Sequence, residues 1–140
     1  MTGVSTIEVT VRYAETDQMG VVYHANHLVW CDMARTAYLG DRGLSYRTLE
    51  AGGLRLAVVD ARVRYRGPAR FDDRVSVRCW VRRVGSRGVE FGYAMNVTET
   101  GRAVATARTA LVALDASYAL STIPVNLRQA LRPIPDPVRL

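Results

Sequence analysis

The chain has 140 residues, 49% hydrophobic and 23% charged, with a formal net charge of +6, a balance that suits one domain with its own core and no need of metals or disulfides. No apolar run approaches the ~18 residues that a membrane-spanning helix needs. Met1 to Thr6 carries neither the basic nor the apolar region of a secretory signal, so the expected location is the cytoplasm.

Every one of the 19 basic residues is arginine. Guanidinium groups grip phosphates through paired donors, so a phosphorylated ligand suits this surface. The arginines are spread from Arg12 to Arg139 without forming a run, and no nucleic-acid signature is present. Nucleic acid is therefore not the expected partner.

In chain order, Ile7, Val9, Val11 and Tyr13 alternate with Glu8, Thr10 and Arg12 and predict a half-buried strand ending at Tyr13. A polar turn carrying Asp17 follows, and an apolar helix opens around His24 and runs from Ala25 to Leu39. Leu28, Cys31, Ala34 and Tyr38 form one stripe of it, with Trp30, Met33 and Ala37 alongside. A helix apolar over so much of its circumference should be mostly buried. Gly40 and Gly43 mark its end, and a short second helix is expected from Ser45 to Ala51, closed by Gly52-Gly53.

Leu54 to Arg66 reads as a strand whose apolar phase shifts near Val58-Val59, which predicts a bulge. A turn from Gly67 to Asp73 leads to the alternation Val75, Val77, Cys79, Val81. Gly85-Ser86-Arg87-Gly88 then makes a hairpin connection to Val89, Phe91, Tyr93, Met95, Val97. Glu99-Thr100-Gly101 turns the chain into a last strand, Arg102 to about Leu114. Beyond Ala116 the pattern fades, leaving a short helix at Val125 to Leu131 and an extended tail with Pro133, Pro135 and Pro137. Residues 1–140 thus read as one α+β domain with its core at about residues 6–131, an antiparallel sheet wrapped around one long central helix.

The most informative stretch is Tyr13 to Asn26. Asp17 stands seven residues before His24, where the backbone donors of a helix N-terminus begin. A carboxylate beside a ready-made oxyanion site is what cleavage of an activated acyl group requires. The plainer reading of Asp17 is an Asx turn. Glu15 is the rival carboxylate, and an extended backbone would point it to the same side as Asp17. Asp32 and Arg35, three apart, fit an internal ion pair. Cys31 and Cys79 lack metal or redox spacing and are expected to be buried free thiols.

Tyr13, Thr16-Asp17, Gly20-Val21-Val22-Tyr23-His24-Ala25-Asn26 and Ala34-Arg35-Thr36 resemble the 4-hydroxybenzoyl-CoA thioesterase family, in its branch of Tol–Pal-associated acyl-CoA thioesterases. Tyr65, Pro68-Ala69, Asp73 and Ile123-Pro124 fall in order with that pattern. The resemblance implies a hotdog fold and hydrolysis of an acyl-CoA thioester to a free acid and CoA, with neither metal nor organic cofactor. Asp17 would attack the carbonyl or activate the water that does. The backbone N–H of His24 would hold the thioester oxygen, and Gly20 would let the loop approach it or simply make a tight turn.

The same resemblance implies a homodimer with its active sites at the subunit interface, its helices packed face to face across a joined sheet, and often a dimer of dimers. Tyr23 and His27 would form pocket walls or pack the helix start, and Asn26 would cap the helix or bridge to the partner. Tyr65 and Pro68 would line the pantetheine channel, while Arg83, Ser86 and Arg87 would hold the nucleotide end of CoA. Two alternatives remain at this point, a carrier-protein-dependent thioesterase and a non-catalytic acyl-CoA-binding module. Hydration of acyl thioesters fits less well, because the Asp17–His24 spacing is not that of such enzymes.

Overall fold

A computed structural model describes residues 2–140. Five antiparallel strands form one sheet, β1 (Val4–Thr10), β2 (Arg55–Tyr65), β3 (Arg74–Val84), β4 (Gly88–Val97) and β5 (Ala103–Leu114), in the order β1-β3-β4-β5-β2. Helix α1 (Asn26–Gly40) crosses one face, followed by α2 (Tyr46–Ala51), whose cap residue Ser45 accepts the Thr48 N–H; α3 (Val125–Ala130) comes after the sheet.

Alternation assigns the two faces. Val75, Val77, Cys79 and Val81 of β3 and Phe91, Tyr93 and Met95 of β4 point inward and are fully buried against Trp30, Cys31, Ala34, Tyr38 and Leu39 of α1. Tyr38 meets Phe91 edge to face, with ring centroids 5.7 Å apart. Both cysteines lie in this core as free thiols, and burial pushes the Cys31 thiol up to about 12. The expected bulge is present, since the β2–β5 register shifts between Val58 and Asp60.

Two expectations need correction. The first strand ends at Thr10, and Tyr13 sits exposed in a 3-10 turn, Tyr13–Glu15. The cause is a side chain competing with the ladder: Glu15 Oε1 accepts the Arg12 N–H at 2.8 Å and bends the chain away from β3. The long helix is not mostly buried, because Leu28, Val29 and Met33 face out, Met33 47% exposed. One sheet offers one face, so a helix apolar on two sides keeps one of them uncovered within a single chain.

The C-terminal residues run along the sheet. Pro133 bridges to Val81, the Ile134 N–H donates to the Val81 carbonyl at 3.0 Å, and Asp136 accepts from the Trp80 indole and the Arg82 guanidinium, each at 2.9 Å. The tail therefore straps the outer face of the sheet. Gly92 makes room beneath it, since a Cβ there would stand 2.6 Å from the Trp80 ring.

The register also defines two ends of the sheet. Arg55 pairs with Leu114, and Gly88 with Val112, so the start of β2 lies with the β3–β4 hairpin. Tyr65 pairs with Ala105, Ala105 with Met95 and Met95 with Val77, so the close of β2 lies at the opposite end, beside the loop that follows β1. β2 itself is an edge strand, most of its residues exposed.

Candidate active site

The loop between β1 and α1 is held by its own backbone and by the β2–β3 turn. The Asp17 N–H donates to the Val21 carbonyl at 2.8 Å, and the Gly20 N–H donates back to the Asp17 carbonyl at 2.9 Å. Gly20 closes this tight turn at φ +78°, a conformation that favours glycine. A Cβ at Gly20 would meet nothing within 4 Å, so within one chain the residue is needed for its backbone conformation and not for space. The Val22 N–H donates to the Ala69 carbonyl at 2.8 Å, and Val21 bridges to Arg70. The Arg70 N–H in turn donates to Asp73 Oδ2 at 2.9 Å, which fixes the turn on the other side.

Asp17 forms the Asx turn as well, its Oδ1 accepting the Met19 N–H at 2.9 Å. Its other carboxylate oxygen has no hydrogen-bond partner among the described residues, and the side chain is part-exposed. The turn therefore orients the carboxylate while leaving one oxygen available.

His24 is held through its carbonyl. The Tyr65 hydroxyl donates to it at 2.7 Å and His27 Nδ1 at 3.0 Å, which puts the His27 proton on Nδ1. Just before it, the Tyr23 N–H donates to the Glu15 carbonyl at 2.8 Å. The His24 N–H itself donates to nothing among the described residues, and it lies one residue ahead of the cap position of α1.

His27 is buried between Trp30 and Tyr65, ring centroids 5.4 and 5.0 Å away, and burial holds its imidazole below its ordinary value. It works as a neutral donor that supports His24. Tyr23 stays half-exposed with its ring 4.4 Å from that of His24. The Asn26 side-chain amide donates to the Glu15 carbonyl at 2.8 Å, so Asn26 ties the helix to the preceding turn instead of capping it; the cap position is Ala25.

Glu15 does not share Asp17's side. The 3-10 turn breaks the period-2 geometry on which that expectation stood. Its carboxylate is buried, with Oε1 on the Arg12 N–H and Oε2 on the Trp30 indole at 3.0 Å. Burial pushes this carboxyl up, but the Arg12 amide, the Trp30 indole and the Arg12 guanidinium together outweigh it, so Glu15 is held below its ordinary value. The buried indole was the available signal: a Trp inside a core needs an acceptor for its N–H.

A second polar network runs under the helix. Arg35 pairs with Asp32 at 2.6 Å, as expected, and also donates to the hydroxyls of Tyr46 at 2.6 Å and Tyr93 at 3.3 Å; Tyr93 in turn contacts Thr109 at 2.7 Å. No sequence spacing announces the two tyrosines, because α2 brings Tyr46 from 11 residues away and β4 brings Tyr93 from 58.

The arginine-rich hairpin is not beside Asp17 within one chain. β3 joins the two regions, and its 11 residues span roughly 33 Å at ~3.3 Å per residue. Arg83 pairs with Glu90 at 3.2 Å, and the backbone carbonyls of Ser86 and Arg87 accept from Ile123 and Ala113. Tyr65 and Pro68 do lie at the Asp17 end, Tyr65 on the His24 carbonyl and the Pro68 carbonyl accepting from Arg102 at 2.6 Å. No group of three or more His, Cys, Asp or Glu side chains able to hold a metal ion occurs among the described residues, and no helix among them is long and apolar enough to cross a membrane.

The sequence profile of the thioesterase-like superfamily matches residues 11–138. A Bacillus subtilis protein named "Putative acyl-CoA thioesterase YneP" is 42% identical over 90 residues, 64% of this chain and 65% of that protein, so the match spans less than two thirds of its length. The 1,4-dihydroxy-2-naphthoyl-CoA hydrolase of Thermosynechococcus vestitus is 32% identical over 130 residues, 92% of this chain and 82% of that one. Among solved structures, Slr0204, a 1,4-dihydroxy-2-naphthoyl-CoA thioesterase from Synechocystis, superposes with a TM-score of 0.86 at 26% identity, covering 92% of this chain and 96% of its own. The architecture is the hotdog arrangement that the sequence motifs implied.

Proposed function

Since the chain belongs to the thioesterase-like superfamily, we propose that it hydrolyses an acyl-CoA thioester to a free carboxylic acid and CoA. The observation that carries this reading is the pairing, in one loop, of a carboxylate with an unengaged oxygen and an amide just ahead of the helix, the His24 N–H, that has no acceptor among the described residues.

In this reading the thioester oxygen accepts the His24 N–H, which strengthens as the carbonyl becomes tetrahedral; such a donor is worth roughly 2.7–4 kcal/mol at the transition state. Asp17 either adds to the acyl carbon, giving an anhydride that water opens, or takes the proton of the water that adds. In both routes the C–S bond breaks, CoA leaves as the thiolate and takes a proton from solvent, and the water oxygen ends in the acid. Neither route calls for a metal or an organic cofactor. The Asx turn aims the carboxylate, and Tyr65 and His27 hold the adjoining peptide through the His24 carbonyl, one peptide on from the donor.

The working unit in this reading is a homodimer, with a dimer of dimers as its larger form. Two surfaces support it: the uncovered apolar side of α1, with Leu28, Val29 and Met33, and the open edge of β2, where Val59 is 60% exposed. Antiparallel joining of two β2 edges sets the start of one against the close of the other. The hairpin of a second copy, with Arg83, Ser86 and Arg87, then lies at the Asp17 end of the first, where it can meet CoA phosphates. Tyr23 and Pro68 remain candidates for the pocket and channel walls.

A panel of CoA thioesters with short, long and aromatic acyl groups, alongside acyl-carrier-protein thioesters, tests the function by release of free thiol. Turnover of at least one CoA thioester supports it. Turnover of carrier-protein substrates alone, or tight binding with no turnover, overturns it.

A further inference from the structure

The outer face of the sheet holds a cleft of about 590 Å³ on the side away from α1, within the range of small-molecule sites. Its floor is β2 and β5, and one wall is the C-terminal tail. Five arginines line it, Arg62, Arg64, Arg82, Arg108 and Arg139, against one carboxylate side chain, Asp136. The register sharpens the imbalance: Arg62 stands directly opposite Arg108 across the β2–β5 ladder, and Arg64, two residues on, is diagonal to Arg108. Like charges directly opposite each other on neighbouring strands destabilise a sheet.

The available acidic groups relieve this only in part, with Asp136 acting on Arg108 through space. Arg82 is paired with Glu90 and Asp136, and Arg62 reaches only the exposed Asp60 at 3.5 Å. Arg64, Arg108 and Arg139 have no carboxylate within ion-pair distance among the described residues. The cleft wall is nonetheless built. The tail is fastened through Asp136 to Trp80 and Arg82 and through Ile134 to Val81, while the Arg66 guanidinium donates to the Arg139 carbonyl at 3.3 Å.

We propose that this cleft binds a small anion carrying two or more phosphate groups, held by Arg62, Arg64, Arg108 and Arg139, at a place separated from the Asp17 loop by the thickness of the sheet. Guanidinium groups bind phosphate oxygens two at a time, and adjacent phosphates supply the opposite charge that a row of like-charged strand positions lacks. A breadth of only a few residues and a standing wall favour a small ligand over a long polyanion.

Calorimetric titration of the full chain with sodium tripolyphosphate tests this, with sulfate as the control anion. Binding is expected to weaken at least about tenfold for sulfate and for the R64Q/R108Q variant. It should stay within about twofold for R47Q, an exposed arginine of α2 that lines neither this cleft nor the hairpin. If the double variant fails to fold by circular dichroism, R64Q alone and the charge-keeping R108K each have to weaken binding by at least about threefold. Equal affinity for sulfate, or undiminished binding by these variants, means adventitious ions only and overturns the proposal. Tighter binding of a single-stranded oligonucleotide or of phosphatidylglycerol vesicles through the same arginines overturns it too. A tenfold rise in KM for acyl-CoA in R64Q/R108Q would place substrate phosphates in the cleft and contradict the separation.

Discussion

The Tyr65 hydroxyl donates to the His24 carbonyl oxygen at 2.7 Å, tying the end of β2 to the turn that opens α1. The two residues are 41 apart in sequence. Through this bond the sheet edge sets the orientation of the peptides around His24, including the one whose N–H is unoccupied. A neutral hydrogen bond of this kind is worth about 1 kcal/mol. Tyr65→Phe should therefore lower kcat by about fivefold with little change in melting temperature, because the His27 bond to the same carbonyl remains. Unchanged kcat in that variant would show that the clamp does not position the site.

Glu15 should carry stability and not chemistry. Its folded-state pKa is below the ordinary value of 4.5, so its contribution is present above that value and is lost as pH falls through the folded pKa. Glu15→Gln presents an amide N–H to one of two buried donors and should cost about 1–3 kcal/mol in denaturant unfolding at pH 7. The gap between variant and native chain should narrow as pH falls below 4.5, and kcat at low temperature should be kept. A constant gap across pH would remove the carboxylate from this account.

Asp136 should hold the tail in place. Asp136→Asn loses the charge-assisted bonds to Arg82 while retaining a carbonyl for the Trp80 indole. Limited proteolysis should then cut after residue 131 several times faster than in the native chain. In the native chain the hydrogen bonds from Arg82 outweigh burial and depress this carboxyl below its ordinary value of 3.8. The tail therefore stays docked above that pH and is released only in stronger acid.

The elements were largely legible because each repeats a simple period. The inward row Val75, Val77, Cys79, Val81 announced β3, the break at Val58-Val59 announced the bulge, and Asp17 with Gly20 announced the turn. What stayed hidden depends on contacts between distant segments. The Glu15–Trp30 bond, the Arg35–Tyr93 bond and the docking of Asp136 on Trp80 leave no periodic trace. The end of β1 departs from the sequence period for a related reason: one side chain, Glu15, captures the Arg12 amide and outcompetes an alternation that runs on to Tyr13.

The exposed helix face bears on assembly. Met33→Lys puts a charge in the middle of the apolar side of α1 without touching its buried side. Sedimentation at micromolar concentration should show the native chain as a dimer or larger and the variant shifted toward monomer, with activity falling in step on dilution. A native chain that sediments as an active monomer would mean that the site is complete without a second copy.

The most direct measurement is steady-state turnover of the best CoA thioester by Asp17→Asn. Asparagine keeps the side-chain oxygen that accepts the Met19 N–H and so preserves the turn, while removing the charge and the nucleophile. The account predicts a fall in kcat of at least about a hundredfold with KM nearly unchanged. Native kcat in that variant would contradict it, and hydrolysis would have to be sought elsewhere in the fold.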